Sequence, residues 1–195
     1  MDNHEAGRLQ EILLRGDREA AKLLARMRIP QMISEKNRVL SLLTDRYREG
    51  AVPFCQLTAA CQAAAVFHDD KMPPVACCGA VYGNTSPTGC NYMMMLLRGW
   101  GMPVLSLGTD VPADGFLDAV RQYHLRFAVC VVFSEADVPA VIRLHEQAMA
   151  EGLRNQFALL MTGISPGRLK GSLPVDFEEY SAAAVAGWMV DAWQR

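Results

Sequence analysis

The chain has 195 residues, of which 51% are hydrophobic and 21% charged, with a formal net charge of -2. This length and apolar content are typical of a packed globular protein and argue against disorder. Lysine and arginine are dispersed without a basic stripe, which argues against nucleic acid as a partner. No apolar run approaches the ~18 residues of a membrane span, and the polar start MDNHEAGRLQ lacks a signal-peptide pattern. We therefore expect a cytoplasmic protein without a membrane segment.

The first part of the sequence, residues 1–72, predicts a helical domain. Helices are expected on both sides of Gly16-Asp17, with Asp17 as an N-cap. Another helix follows Pro30 and stops near Gly50, and an alanine-rich helix runs from about residue 54 to 67. The alanine-rich face allows close approach to a neighbouring helix. His68 begins a charged segment that ends in Pro73-Pro74 and is interpreted as a linker.

The remaining residues, 73–195, predict an α/β domain. Short apolar runs at 75–82, 103–107, 127–133, 157–162 and near 173–177 alternate with helical segments. This pattern is typical of βαβ units, so we expect a flavodoxin-like, Rossmann-like sheet of five parallel strands. Ligands of such sheets bind beyond the carboxyl ends of the strands. The loops at 83–89, 107–111, 133–138, 162–167 and 177–181 are therefore the places to look for a site.

The six cysteines, at positions 55, 61, 77, 78, 90 and 130, contain no C-x-x-C pair, so a zinc site is not indicated. We expect most of them to be reduced, buried thiols. Cys90 starts a predicted helix, where a helix N-terminus can lower the pKa of a thiol. The acidic pairs Glu135/Asp137 and Glu178/Glu179 are expected in solvated loops, and no catalytic pair emerges.

The loop after the first strand is polar and bounded by glycines, with the sequence Gly83-Asn84-Thr85-Ser86-Pro87-Thr88-Gly89. It precedes a helix, and free N–H groups at a helix N-terminus favour a polar or anionic ligand. Ser86 and Thr88 are equally suited to cap that helix. Neither a dinucleotide fingerprint nor a P-loop is present.

The segment GNTSPTGCNYMMMLLRGWGMPVLSLGTDVPADGFLDAV resembles the corrinoid-binding domain of methionine synthase and of the small corrinoid proteins of methanol, methylamine and aryl-ether methyltransferase systems. That family has Asp-x-His-x-x-Gly-Lys-Asn after its first strand and a phrase close to D-L-G-x-D-V-P after its second. This chain keeps Gly89, Asn91 and the segment 107–112. The helical part resembles the family's cap domain at residues 9–12, 16–17, 47–50 and 56–57.

The chain departs from the family where the metal would be held. Asn84 replaces the family's aspartate, and Ser86 replaces the histidine that coordinates cobalt from below. A serine hydroxyl is a poor ligand for a soft metal. The resemblance therefore implies no protein ligand to the metal and no catalytic residue.

The resemblance implies a methyl-group carrier that binds cobalamin base-off and works with separate corrinoid-dependent methyltransferase proteins. Its implied cofactor-binding residues lie on the strand-end loops and in the cap, where Cys55 stands at a position usually held by proline. They are Asn84, Thr85, Ser86, Pro87, Thr88, Gly89, Val131, Phe133, Ser134, Thr162, Gly163, Ile164, Phe177, Glu178, Phe54 and Cys55. Two alternatives stay open: a fold relic that has lost the cofactor and acts as a binding or sensor protein, and a related sheet with another small ligand.

Overall fold

The structure is a computed structural model that describes residues 3–26, 30–67, 72–163 and 173–195, with residues 3–5 and 30–31 described by their backbone alone. The chain divides into two compact units. The helical unit comprises Met1–Lys71 and Met95–Met102, and the α/β unit comprises Met72–Met94 and Pro103–Arg195. The domain division at residues 72 and 73 stays a prediction, because the segment Met95–Met102 groups with the helical unit.

The helical unit is built from α1 (Asn3–Arg15), α2 (Arg18–Arg26), α3 (Pro30–Arg48) and α4 (Phe54–Ala64), followed by a 3-10 turn at Ala65–Phe67. The predicted break between the first two helices is confirmed. Gly16 adopts a left-handed φ of 66°, and the Asp17 carboxylate caps α2 by accepting the N–H of Ala20 at 2.9 Å. The core of the unit consists of leucines that are 2% exposed or less: Leu9, Leu13, Leu40, Leu43 and Leu57.

Alanines on α4 allow a close approach to α1, as the sequence predicts. An ideal Cβ placed on Gly16 would lie 2.7 Å from Cβ of Ala59. Ala60, Ala63 and Ala64 are fully buried. Small side chains at this crossing let the two backbones pack at short distance.

The α/β unit contains β1 (Ala76–Val81), β2 (Val104–Val111), β3 (Phe127–Val131), β4 (Ala158–Thr162) and β5 (Phe177–Glu179). All strand pairs are parallel, in the order β2-β1-β3-β4-β5. This is the flavodoxin-like order, and the predicted fold class is confirmed. The later helices are α5 (Thr88–Trp100), α6 (Ala113–Tyr123), α7 (Val138–Ala150) and α8 (Ala182–Gln194), with a 3-10 turn at Glu135–Asp137 before α7. Only the first part of α5, up to Met94, groups with the α/β unit.

Two strands differ from their predicted bounds. β2 continues to Val111 through the segment 107–111 that was expected as a loop, because Gly108 takes a φ of 86° where the register against β1 shifts. β5 lies later than the predicted run and pairs Phe177–Glu179 with residues 160–162 of β4. Glu178 and Glu179 are therefore half-buried strand residues, and the expectation of a solvated loop is wrong for them.

A buried lysine supports the helical unit. Lys36 on α3 is 1% exposed and donates from Nζ to the carbonyl of Gly99 at 2.9 Å. Burial lowers the pKa of Lys36 to about 8, against a smaller opposing effect of Cys61. The hydrogen bond from Lys36 reaches a backbone carbonyl in the last turn of α5, which has no partner within the helix. The helix dipole also favours a positive charge at this end of α5.

Among the described residues, none of the helices is both long enough and apolar enough to cross a lipid bilayer.

Candidate functional site

The candidate site lies at the carboxyl edge of the sheet in the α/β unit. The chain leaves β1 for β2 on one side of it, and β3 follows on the other side. The loops after β1 and β3 therefore diverge, and this switch point is where ligands of such sheets bind. We call residues 82–87, between β1 and α5, the β1–α5 loop.

Asn84 holds the β1–α5 loop against β3. Its side chain is 6% exposed, and its Nδ2 donates to the carbonyl of Val131 at 3.3 Å. Its Oδ1 accepts the backbone N–H of Ser86 at 3.0 Å. Both polar atoms of the amide thus bind the protein's own backbone.

Gly89 lets the first turn of α5 approach β3. An ideal Cβ on Gly89 would lie 2.5 Å from Cγ1 of Val131, so a larger residue would force the two elements apart. Ser86, another predicted contact in the loop, is half-buried. The remaining predicted contacts before Gly89 are exposed: Thr85, Pro87 and Thr88.

The segment after β3 is fixed by a carboxylate. Asp137 is 7% exposed and its Oδ2 accepts the N–H groups of Phe133 at 2.6 Å and Ser134 at 3.2 Å. Together with the Ser134 side chain it forms a capping box for the 3-10 turn. The expectation that Asp137 sits in a solvated loop is wrong, because backbone N–H groups at a turn stabilise a buried carboxylate.

The end of β4 also approaches the β3 loop. Thr162 is 2% exposed and its Oγ1 donates to the carbonyl of Tyr180 at 3.2 Å. Gly163 has a φ of 108°, and a Cβ there would collide with the carbonyl of Val132. Glycine is thus required at this position. Ile164, the neighbouring predicted contact, lies outside the described residues.

Three exposed aromatic side chains follow three strands at this edge. Tyr82 after β1, Phe133 after β3 and Tyr180 after β5 are 59%, 77% and 63% exposed. Large aromatic side chains left in solvent are uncommon in a packed domain and mark a surface available for contact. Of the three, sequence reasoning identified only Phe133, since a lone tyrosine beside a loop carries no signal by itself.

The other predicted contacts are placed elsewhere. Phe177 is a strand residue that stacks on Trp188 of α8, with ring centroids 5.3 Å apart, and Glu178 follows it in β5. Phe54 and Cys55 begin α4 in the helical unit and are exposed. Their relation to the carboxyl edge stays a prediction.

A pair of thiols lies next to the β1–α5 loop. Cys78 on β1 donates a hydrogen bond to the sulfur of Cys90 on α5, which lowers the pKa of the Cys90 thiol and raises that of Cys78. Burial opposes the shift at Cys90 and adds to it at Cys78. The sulfur of Cys90 also lies 3.5 Å from the carbonyl of Gly108. Sequence reasoning expected a lowered pKa at Cys90 from the helix N-terminus but not this partner.

The donor set at the carboxyl edge does not fit a metal held by the protein. Within the described part of the chain, no three His, Cys, Asp or Glu side chains come together as a metal site. The β1–α5 loop offers hydroxyl and amide groups, and these are poor ligands for a soft metal. The exposed aromatic side chains and hydroxyl groups of this edge instead suit an organic ligand.

A separate cavity of about 520 Å³ lies at the amino ends of β3, β4 and β5. It is lined by Arg126, Arg154, Asp176 and Trp188, among others. Arg154 donates to Asp176 at 2.8 Å and to the Nδ1 of His145 at 3.0 Å. Arg126 donates to the carbonyl of Ala192 near the end of α8 at 3.1 Å. The arginines thus join strands and helices at the edge opposite to the candidate site.

Comparison with solved structures shows what this fold is similar to. A cobalamin-binding protein from Desulfitobacterium hafniense has a TM-score of 0.78 at 17% identity, over 96% of this chain and 98% of that one. The methanol:cobalamin methyltransferase complex MtaBC of Methanosarcina barkeri gives 0.76 at 18% identity, over 99% and 80%. The monomethylamine corrinoid protein of Methanosarcina barkeri gives 0.56 at 15% identity, over 98% and 100%.

These similarities define the class of the fold: an α/β protein whose structural neighbours are corrinoid proteins. No known family's sequence profile matches the chain, and no curated protein sequence is similar to it. The predicted resemblance to corrinoid proteins is confirmed for the fold.

Proposed function

We propose that this protein binds a corrinoid, cobalamin, and carries a methyl group for a partner methyltransferase. The cofactor is held base-off, with no histidine below the cobalt. The observation that carries the proposal is the close approach of Gly89 to Val131, because it keeps the start of α5 next to β3 at the switch point. The absence of a histidine below the cobalt follows from the resemblance, which aligns Ser86 with the family's metal ligand.

The residues of the carboxyl edge would hold the cofactor by contact and hydrogen bonds. Ser86 and Thr88 offer hydroxyl groups, and Phe133 offers an exposed apolar ring. Thr162 and Gly163 complete this edge at the end of β4. When bound, cobalamin would supply the cobalt that accepts and releases the methyl group.

The helical part would serve as the cap of the cofactor. Residues 1–72 follow the domain order of the resembled family, and Phe54 and Cys55 are exposed at the start of α4. In this proposal they contact the upper face of the corrin, and a methyltransferase protein displaces them to reach the methyl group. Its partners are then methyltransferase proteins, as in the complex to which the fold is similar. A cytoplasmic location stays a prediction.

The test is retention of cobalamin. Protein mixed with hydroxocobalamin and desalted should keep a corrinoid spectrum of the base-off type. Phe133→Ser should reduce the amount retained, because it removes the most exposed aromatic ring of the edge. Tyr123→Ser is the matched control, since Tyr123 is also exposed but ends α6. A colourless wild-type protein would refute the proposal.

A second candidate is a cofactor-free binding or sensor protein. The specific observation in its favour is that both polar atoms of Asn84 are satisfied by backbone groups, so the β1–α5 loop is held in place by the protein alone. A colourless protein that still binds a corrinoid methyltransferase would support this second candidate.

A further inference from the structure

Two cysteines outside the proposed cofactor contacts are brought together by β1 and α5. Cys78 is the third residue of β1, and Cys90 is the third residue of α5. Cys78 is fully buried and Cys90 is 3% exposed. The sulfur of Cys90 lies 3.5 Å from the carbonyl of Gly108, and Gly108 pairs with Gly79, the residue that follows Cys78 in β1. Cys90 therefore packs beside Cys78, to which it is hydrogen bonded.

The neighbouring strand cysteines belong to a different layer. Cys77 and Cys130 lie in the core formed with α6 and α7, a cluster that does not include Cys78. Successive residues of a strand point to opposite faces of the sheet. Cys78 therefore faces the α5 side, and Cys90 is the thiol that it contacts there.

We propose that Cys78 and Cys90 are a redox-active pair that forms a reversible intramolecular disulfide. The Cys90 thiolate attacks one oxygen of a hydroperoxide, so an S–O bond forms and the O–O bond breaks. The attacked oxygen stays on Cys90 as a sulfenic acid, and the other oxygen takes up a proton and leaves as water or an alcohol. The sulfur of Cys78 then attacks the Cys90 sulfur, the S–O bond breaks and water leaves. Two thiols are oxidised by two electrons in total, and one hydroperoxide is reduced.

Cys90 is the thiol that reacts first. The hydrogen bond from Cys78 and the first turn of a helix both favour its thiolate. The buried thiols of Cys61 and Cys77 have pKa values raised to about 12 by desolvation, and burial also raises the pKa of Cys130. Because only 3% of Cys90 is exposed, the oxidant must be small, such as hydrogen peroxide.

The disulfide would close a short ring around the candidate site. The ring spans residues 78–90 and contains the whole β1–α5 loop. Oxidation would therefore tie the first turn of α5 to β1 and fix the loop between them. The inference does not depend on a bound corrinoid, since it concerns two side chains of the chain itself.

The experiment uses the full chain with Cys55→Ser, which removes the exposed thiol. The protein is treated with hydrogen peroxide, alkylated while denatured, and digested with trypsin. The tryptic peptide 72–98 contains Cys77, Cys78 and Cys90. We expect this peptide to lose two hydrogen atoms and to keep one alkylated cysteine, and dithiothreitol to reverse the change.

Two variants identify the pair. Cys78→Ala should abolish the loss of hydrogen, whereas Cys77→Ala, the matched control, should retain it. During peroxide treatment of the parent protein, the thiol of Cys90 should be oxidised at least roughly tenfold faster than the thiols of Cys61 and Cys130. The rate is measured as the loss of alkylation at each cysteine with time. Three results would overturn the inference: no loss of hydrogen, a disulfide that persists in Cys78→Ala, or addition of oxygen to Cys90 without ring closure.

Discussion

The carboxylate of Asp110 accepts the backbone N–H of Gly83 at 2.7 Å, and the N–H of Asp110 donates to the carbonyl of Asn84 at 2.9 Å. These two hydrogen bonds join the end of β2 to the β1–α5 loop in both directions. Asp110 adopts a left-handed φ of 56°, which costs energy for a residue with a Cβ. The reciprocal hydrogen bonds offset that cost and fix the course of the loop.

Asp110→Ala should destabilise the protein by about 2 kcal/mol, because the loss of a charge-assisted hydrogen bond adds to left-handed strain. Asp110→Gly should cost less, since glycine keeps the backbone conformation and loses only the side-chain hydrogen bond. Urea unfolding measures both. Asp118→Ala, at an exposed ion pair with Arg121, should change stability by at most about 0.5 kcal/mol. Equal costs at Asp110 and Asp118 would contradict this account.

Gly89→Ala should destabilise the protein by about 1 to 3 kcal/mol, because the new methyl group meets Val131 in a packed interface. Val131→Ala removes Cγ1 of Val131, the atom that the new methyl group would contact. Gly89→Ala should therefore lower the free energy of unfolding much less in the Val131→Ala protein than in the wild type. A double-mutant cycle by urea unfolding measures this coupling.

Gly7→Ala is the control for the glycine, since a Cβ there meets nothing within 4 Å inside α1. It should stabilise the protein by roughly 0.5 to 1 kcal/mol through helix propensity. If the effects of Gly89→Ala and Val131→Ala on the free energy of unfolding are additive, the close approach to Val131 is not the reason for glycine at position 89.

Ser86→His should shift the spectrum of bound cobalamin toward a nitrogen-ligated form, because an imidazole is a good cobalt ligand and a hydroxyl is not. Asn84 is best kept in the first variant, since Asn84→Asp would replace the donor to the Val131 carbonyl with an acceptor. The double variant with Asn84→Asp follows as a second step. Thr85→His is the control at an exposed neighbouring position. Bound cobalamin with an unchanged spectrum in Ser86→His would mean that Ser86 does not lie below the cobalt.

Stability should fall as the pH rises above about 9, because buried thiols stay protonated in the folded state and ionise in the unfolded state. The pKa of Cys77 is raised to about 12. Between about pH 9 and about pH 12, the folded state therefore binds more protons than the unfolded state, and the free energy of unfolding decreases as the pH rises. The stability difference between wild type and Cys77→Ala should narrow by about 1.4 kcal/mol per pH unit in this window.

The measurement is urea unfolding from pH 7 to about 10 under reducing conditions. Cys55→Ser, at an exposed thiol, should run parallel to the wild type. A constant difference between wild type and Cys77→Ala would refute the raised pKa.

The sequence predicted features whose cause is local. The break at Gly16-Asp17 is confirmed because a left-handed glycine and an N-cap act within one turn. The strands β1 and β3 are buried on both faces, as their unbroken apolar runs predict. The sequence also predicted that a site should lie in the loops after the strands, including 83–89, but the strand order that puts the β1–α5 loop at the switch point came from the structure.

Features that depend on distant partners could not be read from the sequence. Asp110 lies 27 residues along the chain from Gly83, and Lys36 lies 63 residues from Gly99. Asp137 resembles any loop carboxylate until the backbone N–H groups that it accepts are known. Cys78 and Cys90 are separated by a whole loop, so their contact emerges only when α5 packs on β1.

The last strand, β5, limits how far the sheet can grow. It forms one edge of the sheet, is only three residues long and carries Glu178 and Glu179. Short, negatively charged edge strands are poor templates for pairing with a strand of another molecule. The shortness and negative charge of β5 therefore disfavour the addition of a further strand at this edge. They also disfavour self-association through the edge, which is one way in which aggregation starts.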